Sequence, residues 1–253
     1  MLHDPARETS AETRPLNNLL KVLKDEDYAL LAPHFQLLHR HSDHVMYNPG
    51  DNVDIVYFPC GPALASFLVA NEDGEDTETI LIGREGAVGG IVSAGRLPAF
   101  SRIIVKFEGP FVGLKLSELE AAKQKSRAVR HLFARYADCL VAQMLQSITC
   151  NAIHSVDQRA AKWIVATMER TGDHIVPLTH EQLARMLGVG RSYTSRVMQT
   201  FKAEGILETQ RGSLLVRDHS ALHARSCKCN DAVKHHFDAV LKDVYPEPDQ
   251  EAN

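Results

Sequence analysis

The chain has 253 residues, 44% hydrophobic and 24% charged, with a net charge of −4, ordinary values for a folded globular protein with room for two domains. No apolar run approaches the ~20 residues that span a bilayer, and Met1 to Pro15 carry charges where a signal peptide needs an apolar core; a cytoplasmic protein with no membrane partner is expected. The five cysteines (Cys60, Cys139, Cys150, Cys227, Cys229) are scattered and odd in number, which favours reduced thiols over a disulfide framework.

Residues 1–40 read as an N-terminal helical segment carried by Leu16, Leu19, Leu20 and Leu23, then Leu30, Leu31, Phe35 and Leu38. Over residues 41–116 short β-branched and aromatic runs alternate with turn signals such as Asn48-Pro49-Gly50-Asp51, Asp73-Gly74 and Glu108-Gly109-Pro110. Strands at that spacing predict a β-roll or sandwich. From Ser117 to Asn151 there is no Pro or Gly, and Val129, Leu132, Tyr136, Leu140, Met144 and Ile148 recur at three- and four-residue steps. One long amphipathic helix is expected over residues 117–153. It could pack wholly on its own subunit. At ~50 Å it is long for that, and a heptad-like stripe is better buried by a second helix, so these six residues are expected to form a homodimer seam.

A DNA-reading domain is expected over residues 154–219. Ser155 with Gln158 is a capping box that opens a helix ending at Thr171-Gly172. Thr179 with Gln182 is a second, with Leu183, Ala184 and Leu187 inward and Gly188 as the left-handed stop. After a short turn a second helix runs through Tyr193, Val197 and Phe201 to Gly205. Its other side carries Arg191, Ser192, Ser195, Arg196 and Gln199, and Arg is the commonest reader of guanine in the major groove. A hairpin turning at Arg211-Gly212 reads as a wing. Between Arg185 and Arg217 six basic residues (Arg185, Arg191, Arg196, Lys202, Arg211, Arg217) face two acidic ones (Glu204, Glu208), a local excess that fits a phosphate-binding face in an acidic protein. Residues 220–253 form a C-terminal helix and tail.

With these residues in place the chain resembles the Crp/Fnr superfamily of bacterial transcription regulators. The resemblance is carried by Tyr47-Asn48-Pro49-Gly50-Asp51 and Gly86-Ala87-Val88-Gly89 in the β region. In the C-terminal region it is carried by Leu178-Thr179, Leu183-Ala184, Leu187-Gly188, Arg191 with Arg196, and Gly205-Ile206-Leu207. It implies an α+β fold: an N-terminal cyclic-nucleotide-binding-like, jelly-roll-like β-roll, a long dimerisation helix and a C-terminal winged helix-turn-helix. It also implies a homodimer acting on a palindromic operator in double-stranded DNA, with RNA polymerase as a further partner. By resemblance Arg191 and Arg196 read bases, joined by Ser192 and Ser195. Ser192 replaces the Glu that many members place there. Thr179, Gln199, Lys202 and Arg211 are expected on phosphates.

The β-roll departs from the cyclic-nucleotide binders. Where they place Gly-Glu and Arg-Ser, this chain has Gly89-Gly90 and Phe100-Ser101, and Arg102 lies one residue late, on the opposite face of a strand. Cyclic AMP is therefore not the expected effector. No cysteine precedes Cys60, which removes the family's N-terminal iron–sulfur site. The tail offers His223, Cys227, Cys229, His235 and His236. Cys229, however, begins an apolar stripe through Val233, Phe237, Val240 and Val244, where cysteine serves as a small hydrophobe, so neither metal nor cofactor is expected. His34, His39, His41 and His44 are expected at the surface rather than on haem. With no Gly-rich phosphate loop, metal triplet or nucleophile elbow, an enzyme is not expected. The alternatives are a cyclic-nucleotide-domain regulatory subunit of another protein and a redox- or metal-responsive regulator working through Cys227 and Cys229.

Overall fold

The computed structural model describes residues 14–242 except 75, 94 and 96, together with 244 and 245. Most of the Met1 to Pro15 stretch read as lacking a leader, and the end of the 220–253 tail, lie outside the described residues. Asn17 is fully buried, and its side-chain oxygen accepts from the N–H groups of Leu19 and Leu20, capping α1 (Asn18–Val22). Then come α2 (Asp25–Tyr28) and one 3-10 turn (Ala32–His34). The helical segment expected to residue 40 stops there, because Gln36–Arg40 is a strand, β1. Leu37 lies open to solvent while Leu38 packs inward, the two-residue alternation of a strand rather than a helical stripe.

Six further strands complete the roll: β2 (Val45–Tyr47), β3 (Ile55–Pro59), β4 (Leu64–Ala70), β5 (Asp76–Ile82), β6 (Arg102–Phe107) and β7 (Gly109–Lys115). They form two antiparallel sheets, in the orders β1-β7-β3 and β2-β6-β4-β5. Both sheets feed one apolar cluster containing Tyr47, Tyr57, Ala65, Ile103, Val105 and Phe111. The outer face of the four-stranded sheet is apolar too. Leu64, Leu81 and Phe107 belong to the same cluster as Trp163, Met186 and Phe201 of the C-terminal domain, so that domain is seated on the roll.

The single helix expected over 117–153 is two. α3 (Leu116–Lys125) stops at Ser126, whose hydroxyl accepts from Val129 N and starts α4 (Arg127–Ile153). An extended N-cap serine ends one helix and begins the next without Pro or Gly, so the break falls in a stretch that contains neither. α4 alone is ~40 Å long. Its N-terminal half does not face a partner: Val129, Leu132 and Tyr136 are fully buried against their own roll, and Leu140 packs partly into the same core. Of the six residues expected in the seam only Met144 and Ile148 are exposed, and they lie in an apolar stripe with Val141 and Leu145.

The C-terminal domain comprises α5 (Val156–Thr171), β8 (Ile175–Val176), α6 (His180–Leu187), α7 (Arg191–Ala203), β9 (Leu207–Gln210) and β10 (Ser213–Val216). Its small sheet has the order β8-β10-β9. α8 (His219–Arg225) and α9 (Cys229–Lys242) follow, and α9 lies back along α4, with Phe237 edge-on to Tyr136 and Arg135 donating to the Val240 carbonyl at 2.9 Å.

Tyr136 joins helix to roll. Its hydroxyl donates to the Ala87 carbonyl at 3.0 Å and accepts from Ala87 N at 2.9 Å. Gly86 leaves the space, since a Cβ there would meet the Tyr136 oxygen at 2.1 Å. Tyr136→Phe leaves two buried backbone groups unpaired and should cost about 1 to 3 kcal/mol of stability. Urea unfolding of the variant checks this, and an unchanged midpoint would show that the pair contributes nothing.

Candidate nucleic-acid interface

α6 begins as its sequence demands. Thr179 Oγ1 accepts from Gln182 N at 3.1 Å, and Gln182 Oε1 accepts from Thr179 N at 2.9 Å. Gly188 ends it at φ 66°, a left-handed value that a glycine takes without strain. α7 crosses α6 with Thr194, Val197, Met198 and Phe201 buried. Tyr193, expected inward, is exposed, and its ring carries the Arg196 guanidinium 5.1 Å from the centroid. Counting three residues back from Val197, as 3.6 residues per turn requires here, puts Thr194 on the core side and Tyr193 beyond its edge.

Arg191, Ser192, Arg196, Gln199 and Lys202 are exposed on α7, and Arg211 is exposed at the tip of the β9–β10 hairpin. None of the four cations among them forms an ion pair among the described residues. The rest of the basic excess is taken up within the domain: Arg185 pairs with Glu181 at 3.5 Å, Arg217 with Glu208 at 2.9 Å, and Arg225 with Glu204. Two expected contacts are placed less favourably. Ser195 is half-buried with its hydroxyl 3.2 Å from His180 Nδ1, so it ties α7 to α6. Both donors of Thr179 are engaged by Gln182.

His180 is the unforeseen member of this surface. Its ring bridges Ser195 on one side and Thr209 of the wing on the other, at 3.5 Å. Burial, and then the nearby Arg191 guanidinium, hold its pKa below the ordinary 6.5. The neutral ring is the folded form, so the stability it brings is fully present above pH ~6.5 and is lost as pH falls through the lower folded value. Between about pH 7 and 5 the wild type should lose more stability than His180→Gln; equal losses in denaturant titrations would exclude the linkage.

The tail residues weighed as a metal set do not assemble. His223 faces Asp231 at 3.1 Å, and His235 and His236 point to solvent. Cys227 and Cys229 instead meet Cys150 and His154, at the far end of α4, with all four ligand atoms within 4.8 Å of one another. A tail-only reading could not find this, because the partners are 77 and 75 residues apart in the chain. The four N-terminal histidines are exposed.

Residues 158–225, which contain this helical pair and hairpin, match the Crp-like helix-turn-helix domain. About three quarters of the chain also superposes on solved structures of regulators. FixK2 from Bradyrhizobium japonicum aligns with a TM-score of 0.60 at 17% identity, over 76% of this chain and 98% of that one. The c-di-GMP-responsive global regulator CLP of Xanthomonas campestris aligns at 0.62 and 12%, over 77% and 100%. A CRP-family transcriptional regulator from Thermus thermophilus aligns at 0.62 and 16%, over 75% and 96%. The chain carries a Crp-like helix-turn-helix domain on a Crp/FNR fold. No curated protein matches the sequence. In this Crp-like domain α6 and α7 form the helical pair and the β9–β10 hairpin follows it. At such identities the solved structures speak for the fold, and the residues on α7 have to be read on their own chemistry.

Proposed function

We propose that the chain is a homodimeric transcription regulator that binds a palindromic operator and reads the major groove with α7. The observation that carries this reading is the outer face of α7: Arg191, Ser192, Arg196 and Gln199 are exposed together on a helix whose opposite side is locked into the domain core, with no carboxylate paired to either arginine among the described residues. Unpaired guanidiniums near the start of such a helix are suited to bidentate contacts with guanine. Ser192 cannot take a cytosine amino group as a Glu would, so the half-site should differ from that of Glu-bearing relatives. Lys202 and Arg211 flank that face as phosphate contacts. RNA polymerase is the natural partner of such a regulator. Arg196→Ala should lose about 1 to 3 kcal/mol per half-site. A gel shift at matched salt in which the variant binds its operator like the wild type would refute the assignment.

The seam of the dimer is the exposed stripe of Val141, Met144, Leu145 and Ile148, between 42% and 67% accessible. These positions repeat at three and four residues on the side of α4 opposite its buried face, as a helix pair requires. Leu145→Glu would set two carboxylates in that seam and should give monomers in sedimentation, whereas Leu140→Glu would strike the subunit's own core. An intact dimer for Leu145→Glu would overturn this seam.

Cyclic AMP is not the effector in this reading. Gly90 is buried against Leu116 and Leu97 and has no side-chain acceptor for a ribose hydroxyl. Phe100 is 85% exposed, and Arg102 turns outward to Asp76 at 2.7 Å. A buried phosphate without a cation costs several kcal/mol. Calorimetry with cyclic AMP should show no heat at micromolar protein, and a micromolar dissociation constant would contradict this.

A further inference from the structure

We propose that Cys150, His154, Cys227 and Cys229 bind one zinc-class divalent ion in a tetrahedral site of three thiolates and one imidazole, stapling the hinge between α4 and the Crp-like domain. Cys150 lies in the last turn of α4, and His154 is the capping residue just beyond it, its N–H donating to the Cys150 carbonyl at 3.1 Å. That turn brings the imidazole nitrogen within 4.8 Å of the Cys150 thiol. Ser155, the next residue, caps α5. Cys227 lies in the α8–α9 connection and Cys229 opens α9, on the far side of the wing in sequence. Four ligands from three elements thus meet where the long helix hands over to the DNA-reading domain.

The spacing suits a single ion. A metal with bonds of about 2.0 to 2.3 Å to nitrogen and sulfur holds tetrahedral ligands roughly 3.5 to 3.8 Å apart. Cys150 Sγ and Cys227 Sγ stand 3.6 Å apart, Cys229 Sγ lies 3.5 Å from His154 Nδ1, and all four ligand atoms lie within 4.8 Å of one another. An iron–sulfide cluster needs its own volume between the ligands, so this set is too tight for one. A disulfide would use two of the sulfurs and would not explain the third sulfur or the imidazole. Three thiolates with one imidazole select zinc over harder ions.

The surroundings point the same way. All three cysteines are buried, so their convergence is enclosed. The Gln146 amide donates to Cys229 Sγ at 3.2 Å, an outer contact of the kind that orients a thiolate. Lys162 is 7% exposed, lines the same small cavity as Cys229, and has no carboxylate partner among the described residues, only the Trp163 ring at 4.5 Å. A centre of three thiolates and one dication carries a net negative charge, which gives that buried ammonium its counterion. On binding, the three thiol protons pass to solvent, and His154 coordinates through Nδ1 with its proton on Nε2.

The full-length chain, purified under reducing conditions, should contain one zinc per chain by plasma mass spectrometry. Replacing it with cobalt(II) should give the visible bands of a tetrahedral, thiolate-rich site. Loss of an outer-shell partner already weakens metal binding by about 10- to 100-fold. Cys227→Ser, Cys229→Ser and the half-buried His154→Gln should therefore weaken competition against a chelator by more than about 100-fold, whereas Cys60→Ala, in the roll, should not. Chelation should speed amide exchange over residues 150–156. Metal-free protein with two thiols fewer would overturn the proposal in favour of a disulfide. Iron with sulfide would overturn it in favour of a cluster, and zinc retained by every variant would place the ion elsewhere. If the cysteine variants fail to fold, His154→Gln still decides. None of these readouts involves DNA, so they stand or fall separately from the Arg196 gel shift.

Discussion

The loop from Gly83 to Gly89 is the point on which the described structure hangs. Its backbone lies outside the named strands, and a buried unpaired backbone group costs about as much as a lost hydrogen bond. Each neighbour supplies a partner. Asn17 donates to the Gly86 carbonyl at 2.8 Å, Asn18 N donates to the Arg84 carbonyl at 2.7 Å, and the Tyr136 hydroxyl closes both groups of Ala87. Val88 bridges back to Tyr57. The N-terminal helices, α4 and the roll are joined through one short loop because each completes its hydrogen bonding.

The same loop holds the Crp-like domain. Arg170, near the end of α5, pairs with Glu85 at 2.7 Å, and Arg84 donates to the Glu169 carbonyl at 2.9 Å. The ion pair is largely buried, and such pairs roughly balance Coulomb gain against desolvation. It gives alignment more than stability. The cohesion comes from the apolar cluster in which Leu64, Leu81 and Phe107 of the roll pack with Trp163 and Met186, since apolar burial contributes ~25 cal/mol per Å². Roll and domain are held by contact area, and the loop sets how they are oriented.

What the sequence made legible was whatever rests on local rules. Capping boxes at Ser155 and Thr179, the stop at Gly188 and the wing turn at Arg211-Gly212 are decided within a few residues, and the elements they bound are found there. The alternation of strands and turns likewise announced the roll. What went astray depends on neighbours distant in the chain. The apolar steps of α4 are real, but a helix with apolar residues on two sides offers no sign of which side meets its own roll. Tyr136 was therefore assigned to a partner when it belongs to Ala87. Tyr193 looked like core by its apolar body, yet Arg196 stacks on it at the surface. Cys229 does begin the apolar stripe of α9; nothing nearby in the sequence says that Cys150 waits opposite it.

The two sides of α4 then divide its length by task. From Val129 to Cys139 one side of the helix is buried by its own roll, and its tyrosine is bonded to the loop. From Val141 onward the inward positions turn polar, with Gln143 and Gln146, while the outward stripe turns apolar. A straight helix transmits displacement along its axis because its ladder of backbone bonds resists stretching, whereas the capped break at Ser126 frees α3 from that constraint. The Gly83–Gly89 loop is thus bonded to α4 through Tyr136 and to α5 through Arg170 at once. The two helices meet again at His154 and Ser155, so the loop, the two helix axes and the hinge close a ring. In a closed ring of stiff members the relative angle of α4 and α5 is set by the contacts at its corners. That angle also sets where the exposed face of α7 lies relative to the apolar α4 stripe.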